Sequence, residues 1–584
     1  MLKIKPLVLA ITFAWMTTSS PARQATDEVL PEPSSSTSTA KAGKQLTAQK
    51  WMVSAANPHA ARAGAKILRA GGTAADAAIA IQLVLGLVEP QSSGLGGGAF
   101  VIYFNAKTGR LTTLDGRETA PFLATPRLFQ DAEGKPLRFF DAVIGGRSVG
   151  VPGTPKLLET LHQRWGKTKW ATLFDDAIHL AENGFAVSPR LEKLIARDAK
   201  RLAVHPVTSA YFLPGGTPLK AGFILKNPAY AASLKQFLKH GSAPFYRGTI
   251  ASDIVLTVQR AENRGLLHSK DLERYQVIER PAVCAPYRQH DVCGMGPPSS
   301  GALTVGQILG ILAPFDLASL GPDNAESWRL IGEASRLAFA DRGRYMADSD
   351  YVPLPLKGLL DPAYLATRAA LIRPGTIIDK VRAGTPKWDH AFNLADDAPI
   401  DLPSTSHFSI VDQYGNALSM TTTIENGFGS RLMVDGFLLN NELTDFSFRS
   451  HRNGIPVANR VEPGKRPRSS MSPTIVMKDG KPSFIIGSPG GSRIINYVAK
   501  TIIARIDWGM NVQQAIALPH LVNRFGTYDI EKSTSAEALA ASLKAFGYKT
   551  KTRNLNSGLH GIAIDANGMH GGADPRREGH VIGE

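Results

Sequence analysis

Cysteine is scarce in this chain, which contains only Cys284 and Cys293. There is no Cys-x-x-Cys pair and no His-Glu-x-x-His run, so the sequence gives no support for a structural zinc site, a thioredoxin-like centre or a zinc protease. We therefore expect neither a metal nor a cofactor. Residues 281–297 are typical of two short strands around a turn, which leaves open both a disulfide and two separate thiols.

Long hydrophobic runs are also missing. The apolar stretch 7–16 is shorter than the roughly 18 residues that a membrane-spanning helix needs, and no other segment is long and apolar enough to span a bilayer. It follows a short basic start and precedes the small residues 17–22, an order that predicts a secretory signal peptide over 1–22. Residues 23–45, rich in Ser, Thr, Pro and Ala, are expected to form a flexible leader. We expect a secreted, periplasmic protein without a membrane span.

Acidic residues are fewer than basic ones, and the formal net charge is +16. The basic residues are scattered, however, apart from the short run 465–468, and no helix-turn-helix, zinc-finger or aromatic RNA-binding motif accompanies them. A basic surface that tolerates acidic small molecules is favoured over a nucleic-acid interface.

The first structured region is predicted to begin near Asn57, which can cap a helix that starts at Pro58. Thr73 can cap a second, very apolar helix over 74–88, and a strand over 99–104 follows. Further helices are predicted over 156–164, 170–183, 190–202, 230–239, 301–312 and 324–346.

Residues 375–404 are polar and lack periodicity, so we expect a loop. From Thr405 onwards the pattern changes to strands, with helices over 491–516 and 535–546 and a strand near 560–566. The later strands are predicted over 405–411, 417–424, 436–440, 472–477 and 482–487. The order favours an α+β fold built as an αββα sandwich.

Two catalytic motifs occur in the wrong context. Gly94-x-Gly96-x-x-Ala99 formally matches a dinucleotide fingerprint, but a helix precedes it and a strand follows, which is the reverse of the required order. Gly146-x-Ser148-x-Gly150 matches a nucleophile elbow, but that elbow needs an immediate helix and the chain continues with Pro152 instead. A serine esterase that uses Ser148 is kept as a distant alternative.

Two other segments are better placed for chemistry. Residues 487–493 end a strand and open a helix, where consecutive backbone N–H groups can bind an anion. If the loop 412–416 closes a hairpin, Thr405 lies opposite Thr423 and their hydroxyls can form a hydrogen bond. Threonine is also simply a good strand former, so the hairpin alone does not identify a nucleophile.

A series of longer motifs resembles the γ-glutamyltranspeptidases, also called glutathione hydrolases. The resemblance covers roughly residues 48–580. In the first half it is carried by residues 94–100 (GLGGGAF), 115–121 (DGRETAP), 150–154 (GVPGT) and 297–301 (PPSSG), and in the second by 405–409 (TSHFS), 439–447 (LNNELTDFS), 465–474 (KRPRSSMSPT) and 487–493 (GSPGGSR).

The resemblance implies an N-terminal-nucleophile hydrolase that cuts itself between Ser404 and Thr405. A large subunit, 46–404, and a small catalytic subunit, 405–584, would then form one intertwined fold. Thr405 would be the nucleophile. Its freed α-amine, with a reference pKa of about 7.7–8.0, would act as the base.

The resemblance also implies a role for each remaining site residue. Thr423 would orient the nucleophile, and Gly490 and Gly491 would form the oxyanion hole. Arg117, with Ser469 and Ser470, would hold the substrate α-carboxylate. The substrate α-ammonium would be bound by Glu425, Glu442 and Asp445. Substrates would be glutathione and other γ-glutamyl amides, with water, amino acids or peptides as acceptors.

Some positions depart from the family pattern. Glu425 replaces an Asn of many members and Glu442 replaces a frequent Gln, and both still offer acceptors to an ammonium. Residues 446–462 contain neither Tyr nor Trp, which argues against an aromatic lid and favours a more open site. The nearest alternative is a glutaryl or cephalosporin acylase of the same family, and a non-catalytic secreted binding protein is a second.

Overall fold

The computed structural model describes residues 44–390, 392–397 and 404–584. The predicted signal peptide, and all but two residues of the predicted leader, lie outside the described residues. So do residues 391 and 398–403 of the predicted loop; its described part forms neither helix nor strand.

The strands, in chain order, are β1 (Leu46–Ala48), β2 (Met52–Ala55), β3 (Gly98–Asn105), β4 (Arg110–Gly116), β5 (Phe185–Ala186), β6 (Ile224–Leu225), β7 (Ile278–Arg280), β8 (Val283–Tyr287), β9 (His290–Gly294), β10 (Ser406–Val411), β11 (Ala417–Thr423), β12 (Met433–Val434), β13 (Phe437–Leu438), β14 (His451–Arg452), β15 (Ile455–Pro456), β16 (Thr474–Lys478), β17 (Lys481–Gly487), β18 (Leu521–Asn523), β19 (Thr527–Glu531), β20 (Lys549–Arg553), β21 (His560–Asp565), β22 (Gly568–Ala573) and β23 (His580–Gly583).

The α-helices are α1 (Pro58–Arg69), α2 (Ala74–Val88), α3 (Phe139–Val143), α4 (Thr154–Trp165), α5 (Asp175–Asn183), α6 (Pro189–Leu202), α7 (Pro206–Phe212), α8 (Pro228–His240), α9 (Ala243–Arg247), α10 (Thr249–Arg260), α11 (Ser269–Glu273), α12 (Gly301–Leu312), α13 (Leu317–Leu320), α14 (Ala325–Tyr345), α15 (Leu356–Leu359), α16 (Pro362–Ala369), α17 (Arg493–Ile506), α18 (Val512–Ala517) and α19 (Ala540–Ala545).

Two seven-stranded sheets form the centre of the molecule. The first has the order β23-β2-β10-β11-β3-β4-β7 and the second β1-β22-β21-β17-β16-β9-β8, and every pairing in both is antiparallel. Each sheet takes strands from both sides of the 404/405 peptide bond. Because the two segments share both sheets, a cut at that bond would leave them interlocked.

Helices cover the outer face of each sheet, which gives the predicted αββα order of layers. Alternate side chains of the central strands point to opposite faces of the sheet, and each face packs against a different layer. Phe408, Ile410 and Met420 pack against α1 and α2. Ile102 and Val411 point the other way, into the apolar layer between the sheets. Central strands buried on both faces are typical of a sheet sandwiched between two layers.

The predicted caps of the first two helices are confirmed. The Asn57 side chain accepts a hydrogen bond from the His59 N–H at the start of α1, and Thr73 forms a capping box with Asp76 at the start of α2. All 15 residues of α2 are buried, as its continuous apolar composition predicts. This helix supports the sheet beneath β10 and β11.

Two expectations about element boundaries were wrong. The ordered chain begins before Asn57, because β1 and β2 precede it and β2 pairs with β10; strands of three and four residues are too short for a periodic signal. The helix predicted over 491–516 is two helices, since Gly509 adopts a positive φ of 62° and Asn511 caps α18 anew.

The hairpin register is confirmed. Ser406 pairs with Thr422 and Val411 with Ala417, so Thr405 faces Thr423 one step beyond the ladder. The hairpin β8–β9 is also present, and Cys284 and Cys293 pair across it as a disulfide. Within the described ranges, no helix is both long enough and apolar enough to cross a lipid bilayer.

Candidate active site

A small cavity lies at the end of the β10–β11 hairpin, where the two sheets approach loops from both halves of the chain. Nine of the ten residues singled out in the sequence line it: Arg117, Thr405, Thr423, Glu425, Glu442, Asp445, Ser469, Ser470 and Gly491. Met471 and Ile494 complete the wall. The tenth residue, Gly490, lies directly before Gly491, on the side of Tyr497.

Thr405 is still joined to Ser404, and its hydroxyl lies beside the carbonyl group of that peptide bond. Thr405 Oγ1 donates to the Ser404 carbonyl oxygen at 2.6 Å, and Thr423 Oγ1 donates to the same oxygen at 3.0 Å. The Glu425 N–H donates to Thr423 Oγ1 at 2.8 Å, which fixes that hydroxyl. The carbonyl therefore receives two hydroxyl donors while a third hydrogen bond holds one of them in place.

Arg577 is a residue of this site that the sequence analysis missed. Its buried guanidinium donates from Nη1 to the Thr405 carbonyl oxygen at 2.9 Å, and from Nε to Asn556. It thereby holds the backbone on the C-terminal side of the 404/405 bond. Its sequence neighbourhood, Asp574 to Arg577, gave no signal, because an arginine 172 residues away is linked to the nucleophile only by the tertiary fold.

The loop between β17 and α17 carries the predicted oxyanion-binding glycines. Gly490 has φ of 139° and Gly491 has φ of 59°, both in the region that favours glycine. A Cβ on Gly490 would also lie 2.7 Å from the Tyr497 ring. The glycines let consecutive peptide groups turn towards the N-terminus of α17, where the helix dipole favours negative charge.

Arg117 follows β4 and is completely buried. Nη1 forms an ion pair with Glu442 and Nη2 with Asp445, while Nε donates to the Pro467 carbonyl. Burial alone would lower the pKa of Arg117, but the neighbouring carboxylates, Glu442 first, raise it above its ordinary value. The arginine is therefore permanently charged, oriented, and already paired in the absence of ligand.

Neighbouring amides hold the Glu442 backbone and the Glu425 carboxylate, which belong to two of the predicted ammonium-binding residues. Asn440 accepts from the Glu442 N–H at 3.0 Å, and Asn441 Nδ2 donates to the Glu425 carboxylate. Glu425 adopts a φ of 74°, uncommon for a residue other than glycine. Burial, opposed by Arg117, raises the pKa of Glu442 to about 7.

Ser469 and Ser470 line the cavity next to the backbone carbonyls that hold Arg117. Ser469 Oγ accepts from the Met471 N–H at 3.1 Å, and Ser470 Oγ accepts from Arg342 Nη2 at 2.6 Å. The same arginine donates from Nε to Ser300 at 2.8 Å. Each serine hydroxyl therefore accepts a hydrogen bond that orients it and leaves its proton available for donation.

The two motifs rejected in the sequence serve the fold instead. Ser148 is buried in a 3₁₀ turn and donates to the Val143 carbonyl at 2.6 Å, so it is no exposed nucleophile. A Cβ on Gly96 would lie 2.1 Å from the Leu438 carbonyl, and one on Gly97 would lie 2.0 Å from that of Thr423. These glycines allow the chain before β3 to approach the end of β11.

Comparisons with known proteins identify the family of this chain. The family model for gamma-glutamyltranspeptidase matches residues 60–584. The chain belongs to the gamma-glutamyltranspeptidase family. It is 38% identical to the glutathione hydrolase proenzyme of Bacillus subtilis (strain 168) and 35% identical to that of Escherichia coli (strain K12), in each case over 91% of both chains.

Among solved structures, this chain resembles the crystal structure of cephalosporin acylase from Bacillus halodurans. The TM-score is 0.82 at 26% identity, over 93% of this chain and 97% of that one. The chain is therefore an enzyme of this family with the αββα sandwich of the N-terminal-nucleophile hydrolases.

Proposed function

We propose that this protein is a self-cleaving glutathione hydrolase and γ-glutamyltransferase that uses Thr405 as its N-terminal nucleophile. One observation carries the proposal. The Thr405 hydroxyl lies against the Ser404 carbonyl, which also accepts a hydrogen bond from Thr423. The names of the relatives over nearly the whole chain support the same activity.

Self-cleavage would begin at this peptide group. Thr405 Oγ1 attacks the Ser404 carbonyl carbon, the C–N bond breaks, and the Thr405 nitrogen takes up a proton to become a free amine. Thr423 stabilises the negative charge that develops on the carbonyl oxygen, in the manner of an oxyanion hole. Water then hydrolyses the resulting ester, which leaves a carboxylate on Ser404 and restores the Thr405 hydroxyl.

The catalytic cycle would repeat this chemistry on a substrate. The Thr405 amine, with a reference pKa of about 7.7–8.0, accepts the proton of its own hydroxyl directly or through water. The oxygen attacks the γ-carbonyl of a γ-glutamyl amide, Gly490 and Gly491 stabilise the oxyanion, and the amine leaves with a proton. Water or an acceptor amino acid or peptide then takes the γ-glutamyl group from the ester.

Charge in the cavity would select the glutamyl end of the substrate. Arg117 offers its planar guanidinium to the α-carboxylate, which suits bidentate hydrogen bonding. Glu425, Glu442 and Asp445 offer three carboxylates to the α-ammonium. The α-carboxylate and the α-ammonium of the substrate are attached to the same carbon. Together they match a site in which an arginine lies next to acidic side chains.

The proposal extends to processing and location. Cleavage would give a large segment ending at Ser404 and a small segment beginning at Thr405, held together by the two shared sheets. The basic, apolar and small-residue order of residues 1–22 supports export to the periplasm. No nucleic-acid partner and no cofactor is required by the chemistry.

An acylase specific for glutaryl side chains is the second candidate, favoured by the structural likeness to the Bacillus halodurans enzyme. A glutaryl group lacks the α-ammonium, so it would leave the three carboxylates uncompensated. We therefore expect kcat/KM for γ-glutamyl-p-nitroanilide to exceed that for glutaryl-p-nitroanilide by at least about 100-fold, because buried polar groups left unpaired are costly. Equal rates, or faster glutaryl hydrolysis, would establish the acylase.

A substitution at Arg577 tests self-cleavage separately from substrate turnover. In Arg577→Lys, the single ammonium cannot hold both Asn556 and the Thr405 carbonyl, so the peptide group is less well oriented. We expect self-cleavage to slow by about tenfold, measured by a denaturing-gel time course during refolding. Arg329→Lys is the matched control, since Arg329 is also buried but pairs with Glu326 and the Thr376 carbonyl, neither of which lines the cavity. Equal cleavage rates in the two variants would remove Arg577 from the mechanism.

A further inference from the structure

Glu118, the residue after Arg117, has a carboxyl group whose role the mechanism does not explain. It is completely buried, and neither of its side-chain oxygens has a hydrogen-bond donor among the described residues. The nearest cationic atom is Arg117 Nη1, at 3.9 Å from Oε2. A buried carboxylate without donors costs far more free energy than a protonated one, so this environment favours the neutral acid.

The surrounding groups offer the carboxyl of Glu118 no donor. Tyr246 donates its hydroxyl to the Pro152 carbonyl at 2.9 Å, and Tyr275 donates to the Arg117 carbonyl at 2.9 Å. On the side of β3, Gly98 packs so closely that a Cβ there would lie 2.4 Å from Glu118 Oε2. The charged groups that face Glu118 are Arg117 and the carboxyl group of Glu442, while Asp445 pairs with the other side of Arg117.

Glu442 also has a carboxyl oxygen without a hydrogen-bond donor. Its Oε1 is paired with Arg117 Nη1, the same atom that approaches Glu118, while its Oε2 has no donor in the described part of the chain. Two carboxyl groups therefore meet beside one guanidinium nitrogen, each with an unsatisfied oxygen. One proton placed between them would satisfy both, as an O–H donor on one side and an acceptor on the other.

We propose that Glu118 and Glu442 share one proton, and that Glu118 is a positioning residue that sets the charge and orientation of the Arg117 subsite. With the proton present, Arg117 faces one negative charge from the pair and one from Asp445. Without it, three carboxylates would compete with a bound carboxylate for the same guanidinium. The shared proton keeps the arginine available for an anionic ligand group.

The electrostatics agree with the geometry. Burial first, and then the neighbouring Glu442, raises the pKa of Glu118 well above its ordinary value. Glu442, whose pKa is about 7, ionises first, and the proton that remains on Glu118 stabilises the Glu442 carboxylate. Two carboxyl groups that interact this closely lose their protons in two steps that belong to the pair, and the shared proton is lost in the second step, above pH 7.

The consequence for substrate binding rests on the proposed function, in which Arg117 binds the α-carboxylate. As the pH rises through the second step, the pair loses its shared proton, the negative charge beside Arg117 increases, and KM rises. If the fully ionised pair binds no substrate, KM for γ-glutamyl-p-nitroanilide increases by about tenfold for each pH unit above that step. kcat follows the Thr405 amine instead and need not change in parallel.

The test replaces the shared proton by an amide. Glu118→Gln keeps the shape and offers an N–H to Glu442, so we expect KM to become nearly constant between pH 7 and pH 10. Glu442→Gln should flatten the KM profile in the same way, whatever its effect on the absolute KM. Asp445→Asn is the matched control: it changes the charge beside Arg117 but leaves the pair intact, so the rise in KM should persist and move to lower pH.

Infrared difference spectra between pH 7 and pH 10 provide a readout that does not depend on turnover. The wild type should lose a protonated-carboxyl band that Glu118→Gln lacks; the comparison cancels other buried acids such as Asp435, whose pKa burial raises to about 6. A wild-type KM profile in Glu118→Gln, or an identical infrared band, overturns the shared proton while the hydrolase stands. If the wild type does not hydrolyse the anilide, the proposed function fails and the infrared band alone decides the pair.

Discussion

Thr405→Ala is expected to yield one uncut chain without hydrolase activity. The substitution removes the oxygen that would attack both the Ser404 carbonyl and the substrate. It also leaves residue 405 without a free amine. We expect kcat/KM for γ-glutamyl-p-nitroanilide to fall by at least about 10⁴-fold, as when other enzymes lose their nucleophile. Intact-mass measurement should show two fragments for the wild type, the smaller beginning at Thr405, and a single species for the variant.

Thr405→Ser is the matched control, since serine keeps the hydroxyl and loses only the methyl group. It should cut itself, more slowly than the wild type, and recover measurable hydrolysis. N-terminal sequencing of active wild-type material is the sharpest check. Active protein with an intact 404/405 bond, or a Thr405→Ala chain that still hydrolyses the anilide, would refute Thr405 as the nucleophile.

The second large effect is expected for Arg117→Lys. A lysine keeps the charge but has one ammonium, which cannot contact Glu442, Asp445 and the Pro467 carbonyl at once and cannot bind a carboxylate bidentately. Because the change affects a buried, hydrogen-bonded ion pair, kcat/KM for the γ-glutamyl anilide should fall by about 10²-fold or more, mainly through KM.

Self-cleavage of Arg117→Lys shows whether the variant folds, and so distinguishes weaker substrate binding from misfolding. Arg117 does not contact the 404/405 peptide group, so Arg117→Lys should still give the two fragments. Arg344→Lys is a suitable control, because Arg344 forms a partly exposed ion pair with Asp396 outside the cavity, and exposed pairs contribute little. An unchanged KM in Arg117→Lys, or an equal loss in Arg344→Lys, would be incompatible with carboxylate binding by Arg117.

The acidic site is compatible with the basic chain. The protein carries a net charge of +16, yet three carboxyl groups, those of Glu118, Glu442 and Asp445, surround Arg117, and a fourth, that of Glu425, lines the same cavity. Overall charge and local charge therefore have separate roles. The basic surface can attract acidic peptides such as glutathione at long range, whereas the cavity would recognise the ammonium at short range.

Local sequence patterns predicted the elements whose signals are contained in a few neighbouring residues. The caps at Asn57 and Thr73, the apolar helix 74–88 and the register of the 405–424 hairpin were all read correctly, because each depends on hydrogen bonds or periodicity within about 20 residues. The short strands β1 and β2 were missed for the same reason: they are defined by partners such as β10, hundreds of residues away.

By itself, the sequence determined the alternation that buries both faces of the central strands, the glycines that allow tight turns at 490 and 491, and the motifs that identify the family. Only the tertiary structure decided that Arg577 reaches the Thr405 carbonyl and that Glu118 lies donorless beside Glu442. Both depend on which groups surround a buried atom, and a buried charge or carbonyl is governed by spatial neighbours rather than by sequence neighbours.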